Sequence, residues 1–251
     1  MPDWRDARAY EPLLGADRSL FAWEWLRRDQ NYRAAAARAL DAGSRARSDP
    51  AEAPERWGLH AFEPPGRTAP EARPVWSAPV YPYVLGVHAS PLAGEDVFDL
   101  QRFCSISTLV TAADGHEHLL ISDGLRAIRI DILAGTIAKG PAELRYSLAG
   151  FASAERPLLT LRRLLAIWRT GRFCRSLHPE DARAGRLLPM LRAHDALAAG
   201  ANQRAIAAEL FGGSAARERW RVEAPSVRSQ VQRLVRGARQ MAVGGFWELL
   251  R

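Results

Sequence analysis

The spacing of apolar residues changes three times along the chain, and these changes limit the folds that the chain can adopt. Apolar residues recur at helical spacing up to Leu40, eight prolines fall between Pro50 and Pro82, residues alternate between Tyr83 and Phe151, and helical spacing then returns. Because proline is excluded from helix interiors, the second segment is predicted to be a linker. We therefore expect an α+β protein with an N-terminal helical hairpin, a small antiparallel β-sheet in the middle and an all-helical C-terminal part.

Three domains are predicted from these boundaries. Residues 1–72 would form a helical domain with its Pro-rich linker, residues 73–152 the small antiparallel β region, and residues 153–251 a helical domain. The Trp-rich stretch from Phe21 to Leu26 is predicted to be buried, in the core rather than against another subunit, because aromatic surface contributes most when removed from water. Trp57-Gly58-Leu59 is predicted to dock the linker on a neighbouring domain.

Five strands and two tight turns are expected in the middle region. Asp114-Gly115 and Asp123-Gly124 supply the positive φ angles that hairpin turns need. The predicted strands are Tyr83–His88, Ser105–Thr111, His118–Ser122, Ala127–Leu133 and Glu143–Leu148.

Two further helices are expected after Phe151. The first would present one apolar stripe and end at Gly171, and the second would begin near Pro179 and end at Gly200. The stripe is Leu158, Leu161, Leu165 and Trp168.

Positive charge is concentrated in the C-terminal part of the chain. Residues 151–251 hold 18 arginines against 8 acidic residues, whereas residues 1–150 hold 17 basic and 20 acidic residues. A concentrated positive field attracts a polyanion and speeds encounter with it. Arginine content alone is weak support for nucleic-acid binding, because 34 arginines against one lysine is also typical of a GC-rich genome.

The last long helix is predicted to read DNA. A short helix, Gln203 to Leu210, ends at a Gly pair and would support it, as in a helix-turn-helix whose turn is expanded by Ser214 to Ala224. The helix from Ser226 to Ala242 has no acidic residue, unlike an ordinary solvated basic face, which intersperses Glu or Asp. Arg and Gln pair with guanine and adenine edges in the major groove.

The residues predicted to contact double-stranded DNA lie on these two helices and in the insertion between them. They are Gln203, Arg204, Arg217, Arg219, Ser226, Arg228, Ser229, Gln230, Arg233, Arg236 and Gln240.

Other functional classes find little support. Enzyme signatures such as Gly-x-Ser-x-Gly, a phosphate-binding loop with Lys, and His-Glu-x-x-His are absent from the sequence. There are two weaker candidates. One is a metal site in His116-Glu117-His118, with the two histidines as ligands, and the other is a nuclease pair of Asp131 and Glu143. We therefore expect no catalytic residue, no cofactor and no metal. No signal peptide or bilayer-length apolar run is seen, so a cytoplasmic location without membrane contact is expected.

A set of motifs spread over nearly the whole chain resembles those of one regulator family. The motifs are Trp4-Arg5-Asp6, Phe21 to Arg28 with Tyr32, Trp57-Gly58-Leu59 with Phe62-Glu63, Gly171-Arg172-Phe173, Leu191 to Leu197, Ile206-Ala207 and Arg233-Leu234-Val235. They resemble proteobacterial transcriptional regulators of the RovC and FseA kind. The resemblance implies an N-terminal regulator-like domain and a C-terminal DNA-binding domain, with Gln203–Leu210 and Ser226–Ala242 as the DNA-contacting helices.

The resemblance also implies a biological role and partners. Members activate transcription of genes for integrative conjugative elements or of a type VI secretion locus, and they form homo-oligomers. A homo-oligomer would bury the N-terminal tryptophans and Phe246 to Leu250, and RNA polymerase is a further possible partner. The alternative is a protein-binding antiactivator that titrates another regulator, as single-domain relatives do.

Overall fold

The structure is a computed structural model that describes residues 1–42, 53–92, 94–212 and 225–251. It confirms the α+β class. The helices are α1 (Arg18–Leu26), α2 (Gln30–Ala42), α3 (Glu155–Thr170), α4 (Ala184–Ala198), α5 (Gln203–Phe211) and α6 (Pro225–Ala242). The strands are β1 (Val84–Pro91), β2 (Ser107–Thr111), β3 (Glu117–Ser122), β4 (Ala127–Ala134) and β5 (Ala142–Ser147). Short 3-10 helices include Ala7–Gly15 and Gly245–Leu249.

Helix boundaries follow local capping chemistry. The Asp17 carboxylate accepts hydrogen bonds from the backbone N–H groups of Ser19 and Leu20 at the start of α1. The Asn202 side chain accepts from Ala205 N at the start of α5. Such side chains satisfy the N–H groups that have no partner inside the first helical turn. At the other end, Gly171 closes α3 with a φ of 67°, as predicted, because glycine adopts this left-handed conformation at no steric cost.

The sheet is mixed rather than purely antiparallel. Its strand order is β2-β3-β4-β1-β5. The β2–β3, β3–β4 and β1–β5 pairs are antiparallel, whereas β1 and β4 pair in parallel, so the expectation of an antiparallel sheet was wrong for this pair. Alternation of apolar residues identifies a strand but carries no information about which distant strand lies beside it.

One face of the sheet packs against α3. Leu85, Val87 and Ile130 from the strands meet Leu164 and Ile167 of α3. The buried face of α3 is therefore rotated relative to the predicted apolar stripe. Its first residue, Leu158, is exposed, while the buried residues of the helix are Thr160, Leu164 and Ile167.

The opposite face of the sheet is covered by the predicted linker. Leu59 forms an isolated antiparallel bridge with Trp76. The buried guanidinium of Arg129 on β4 donates hydrogen bonds to the carbonyl oxygens of Trp76 and Leu119 and forms an ion pair with Asp131. A buried charge is tolerated only when its donors are satisfied, so Arg129 fastens the linker to the sheet. Trp57-Gly58-Leu59, predicted to dock on a neighbouring domain, packs against the helical core, where Leu59 is buried and Trp57 lies edge-on to Tyr32 of α2.

The N-terminal and C-terminal helices share a second core. Trp23 and Leu26 of α1 belong to the same buried cluster as Leu191 of α4, Val231 of α6 and Leu250. The predicted burial of the Trp-rich stretch inside the chain is confirmed, because Trp23 and Trp25 are 0% and 2% exposed. The three-domain division of the sequence stays a prediction, and packing joins its first and last parts.

A buried ion network crosses this second core. The Arg28 guanidinium, in the turn that follows α1, donates two hydrogen bonds of 2.7 Å to the carboxylate of Asp195 on α4, and it also pairs with Glu24. The Tyr10 hydroxyl donates to the same Asp195 carboxylate at 2.6 Å. Burial lowers the pKa of Arg28, but Asp195 and Glu24 reverse this effect and hold the pKa above its usual value. Arg28 therefore stays charged and bound.

We expect Asp195→Ala to destabilise the fold by about 3–5 kcal/mol, because it leaves a buried guanidinium and a buried hydroxyl without their acceptor. Urea unfolding followed by circular dichroism measures this change. Adding Arg28→Met to Asp195→Ala should cost less than the two single changes together, by about 1 kcal/mol or more. The control is Glu248→Ala, which removes an exposed pair with Arg251. Equal stability of Asp195→Ala and the control would contradict the role of the network.

Candidate nucleic-acid interface

Helix α6 is anchored by one apolar face. Val231 and Ala238 are fully buried, and Leu234 and Val235 are buried beside them. These residues recur at the i, i+3, i+4 and i+7 positions of a helix, so they form one stripe. The stripe faces the core that contains α4, α5 and the end of α1. Its position leaves the opposite side of α6 on the surface.

The outward side of α6 carries only polar and basic side chains. All the residues that were predicted to contact DNA on this helix are exposed, and none lies in the interior. They are Ser226, Arg228, Ser229, Gln230, Arg233, Arg236 and Gln240, with Arg239 beside them.

The arginines of this side have no partner among the described residues. Arg228, Arg233, Arg236 and Arg239 take part in no ion pair or hydrogen bond within residues 1–42, 53–92, 94–212 and 225–251. Other arginines behave differently, since Arg28 and Arg129 are fully engaged inside the molecule. As far as the described residues go, the α6 guanidinium groups therefore have all their donors available to the solvent or to a bound anion.

Two positions on α6 differ from the sequence analysis. Gly237 was predicted to lie on the exposed face, but a Cβ at this glycine would lie 2.7 Å from the terminal methyl carbon of Met190, so Gly237 faces α4. Gln232 was missed and is exposed. At about 100° per residue, position 232 falls between the arginines at 228 and 236, and this spacing could have identified it.

Helix α5 lies beside α6 and offers fewer exposed groups. Ile206 and Ala207 are buried against the shared core, Arg204 is exposed, and Gln203 is half-buried. The capping Asn202 occupies the start of the helix. This arrangement agrees with the predicted role of α5 as a short support helix whose N-terminal end is open to a phosphate.

The insertion between α5 and α6 falls outside the described residues. The structure does not describe residues 213–224. Arg217 and Arg219, predicted to contact phosphates, and Trp220, predicted to anchor the insertion, lie in this range.

The positive charge of the C-terminal part occupies two different places in the fold. Arg162 and Arg169 are exposed on α3, which packs against the sheet. Arg163 is directed inward and donates to the carbonyl oxygen of Leu177. Only the α6 arginines lie on the predicted groove-reading helix, so the net charge of this region overstates the charge of any one surface.

The catalytic and metal candidates do not assemble as the sequence suggested. His116 pairs with Asp114 at the surface, and the buried Glu117 carboxylate accepts from Thr136 and from the backbone N–H of Ile137. His118 turns instead to Asp131, at 2.7 Å.

The proposed nuclease pair of Asp131 and Glu143 is not formed either. Asp131 is engaged by His118 and Arg129, and Glu143 lies 3.5 Å from Arg145. Burial raises the pKa of Asp131, but the hydrogen bond from His118 and the charge of Arg129 outweigh it and lower this pKa to about 2. Asp131 is therefore an ionised structural acceptor.

The aromatic residues at both ends of the sequence are buried within the chain. Trp4, Phe246, Leu249 and Leu250 are all at most 4% exposed. Trp247 lies edge-on to Trp76. The expectation that a homo-oligomer would bury these residues is therefore wrong, and the homo-oligomer itself stays a prediction.

Two family models match the chain over the regions that carry these features. A RovC DNA-binding domain model, described as a type VI secretion system transcription factor DNA-binding domain, matches residues 150–251. A proteobacterial transcriptional regulator-like domain matches residues 3–60. No curated protein matches the chain.

The protein is a transcription regulator with a DNA-binding domain. Within that class, its C-terminal part matches the RovC DNA-binding domain model and its N-terminal part the proteobacterial regulator-like domain model, so the predicted resemblance to RovC-like regulators is confirmed. Among the described helices, none has the length and apolarity that crossing a bilayer requires.

We expect Val231→Asp to abolish the cooperative thermal unfolding of the helical core, because it buries an unpaired carboxylate at a fully buried position. Gln232→Asp introduces the same side chain at the neighbouring exposed position and should leave the melting curve close to that of the unmodified protein. Circular dichroism melts of both variants measure the difference. Similar melts for the two variants would show that the assigned faces of α6 are wrong.

Proposed function

We propose that this protein is a sequence-specific transcriptional regulator that reads double-stranded DNA with the outward face of α6. The single observation that carries the proposal is that this face is free of acidic residues and holds arginines without described partners. A helix with its side chains is about 10–12 Å wide, and the major groove is about 12 Å wide. The helix therefore fits the groove with its apolar stripe still in the core.

The side chains of this face suit base recognition. Arginine pairs bidentately with the O6 and N7 atoms of guanine, and glutamine pairs with N6 and N7 of adenine. Arg233, Arg236 and Gln240 lie nearest the middle of the exposed arc, so we assign base contacts to them. Arg228 and Arg239 flank the arc, and we assign phosphate contacts to them.

Helix α5 would position α6 on the duplex. Gln203 and Arg204 are at its N-terminal end, where backbone N–H groups and the helix dipole favour a phosphate. Arg217 and Arg219 are assigned to phosphates from their sequence position alone. These contacts would set the register of α6 in the groove without carrying sequence information.

The regulatory role follows from the resemblance. We propose an activator of genes on a mobile element or at a secretion locus, and the description of the matched DNA-binding domain, which names type VI secretion, supports the latter. Homo-oligomer formation, contact with RNA polymerase and a cytoplasmic location are part of this proposal. An antiactivator that only binds another regulator would not need an exposed arginine and glutamine face.

Removal of an α6 arginine should weaken DNA binding. The probe is a duplex recovered from the genomic fragments that the protein retains, and fluorescence anisotropy measures its affinity. Arg233→Ala and Arg236→Ala should each cost about 1–3 kcal/mol on this duplex if they contact bases. The matched control is Arg145→Ala, which removes the same charge from the exposed edge strand β5. Equal affinity of the α6 variants and the control would contradict the proposed interface.

A lysine substitution separates base reading from charge. Arg233→Lys keeps the charge but loses the planar fork that pairs with guanine. We expect its affinity for unrelated DNA to stay near that of the unmodified protein, while its affinity for the retained duplex falls toward that of Arg233→Ala. Arg228→Ala should instead weaken both duplexes and lower the slope of log affinity against log salt by about 1. The same loss on both duplexes for Arg233→Lys would assign Arg233 to the phosphates.

A further inference from the structure

Three separate segments bring metal-ligand side chains together beside the sheet. His60 comes from the linker, His118 from β3 and Asp131 from β4. One potential ligand atom from each lies within 4.8 Å of the other two. His118 and Asp131 were predicted to have other partners and His60 was not predicted at all, because neither spacing nor periodicity relates these three positions.

The ring of His118 is directed at Asp131. Its Nδ1 atom lies 2.7 Å from Asp131 Oδ1. An ion at this position would replace the proton that these two atoms share, with His118 Nδ1 and the Asp131 carboxylate as ligands. Nε2 of His118 cannot share an ion with Asp131, because it points to the far side of the ring. Asp131 Oδ2 takes part in none of the hydrogen bonds of the described residues, because both His118 and Arg129 use Oδ1.

His60 is held by its backbone but not by its ring. Its backbone N–H donates to the carbonyl oxygen of Val75 at 2.9 Å. Its ring stacks on His118 with centroids 3.4 Å apart, and its Nε2 atom is buried without a hydrogen-bond partner in the described part of the chain. A buried polar atom without a partner is uncommon in native structures and calls for an explanation.

We propose that His60, His118 and Asp131 bind a divalent transition-metal ion, with zinc as the best match. Two imidazoles and one carboxylate are a common set of zinc ligands, and they leave a fourth tetrahedral position for water. Imidazole suits zinc, copper and nickel, whereas magnesium and calcium prefer oxygen ligands.

Binding requires one local movement. An imidazole nitrogen binds a metal in the plane of its ring, and the rings of His60 and His118 are within 13° of parallel. The His60 ring must therefore turn out of the stack to aim at the same point as His118. No hydrogen bond of the described residues holds that ring, so its rotation breaks none of them.

The neighbouring charge sets the strength of the site. Arg129 pairs with Asp131 at 2.7 Å and repels a cation at this position. The ion would therefore bind less tightly than in a structural site made of thiolates. This property fits a reversible site better than a permanent one.

An ion at this position would fasten the linker to the sheet. His60 is the last residue of the segment that matches the regulator-like domain, and His118 and Asp131 are on neighbouring strands. Metal binding would thus stabilise the contact between this domain and the sheet by mass action. The site itself is independent of the proposed DNA-binding function.

The test is zinc binding by the full-length protein after treatment with a chelator. Isothermal titration with zinc chloride should show one equivalent bound, and cobalt(II) should give the visible absorption of a four-coordinate ion. His60→Ala and His118→Ala should each weaken binding roughly tenfold or more. His88→Ala and His116→Ala, which remove exposed histidines elsewhere, should bind as the unmodified protein does.

Thermal unfolding keeps the test decisive if a variant is unstable. Saturating zinc should raise the melting temperature of the unmodified protein and of His116→Ala, but not that of His60→Ala. His60→Asn serves as a second variant if the alanine variant does not fold. Failure of the unmodified protein to bind one equivalent, or retention of that binding by both His60 variants, would overturn the proposal.

Discussion

The bidentate contact between Arg28 and Asp195 is the interaction on which the helical half of this protein depends. It joins the turn that follows α1 to α4, and α4 packs against the apolar stripe of α6. Both members are buried, so loss of either one leaves an uncompensated charge in the core. The network therefore joins the regulator-like segment to the same buried core against which α6 packs.

Arginine has two physical roles in this chain, and burial separates them. Arg28 and Arg129 are in the interior, where backbone oxygens and carboxylates satisfy their donors. Arg233 and Arg236 are at the surface with no partner in the described part of the chain. An engaged guanidinium stabilises the fold, whereas a free one can bind a polyanion. We therefore base the assignment of a DNA-binding surface on exposure rather than on the number of arginines.

A second set of contacts holds the linker on the sheet. Arg129 holds the linker by hydrogen bonds to backbone oxygens, and the proposed ion at His60, His118 and Asp131 would add a reversible link beside it. The hydrogen bonds of Arg129 need no ion, whereas the proposed link would form only when a metal ion is bound.

The sequence by itself determined the local features of this protein. Periodicity located the five strands and, apart from Gly237 and Gln232, the outward face of α6, because both depend on neighbours in the chain. Tertiary structure alone decided which distant segments meet. The parallel β1–β4 pair, the rotation of α3, the Arg28–Asp195 contact and the approach of His60 to His118 depend on long-range packing. Such contacts have no repeat or spacing in the sequence, since packing brings them together only once the chain has folded.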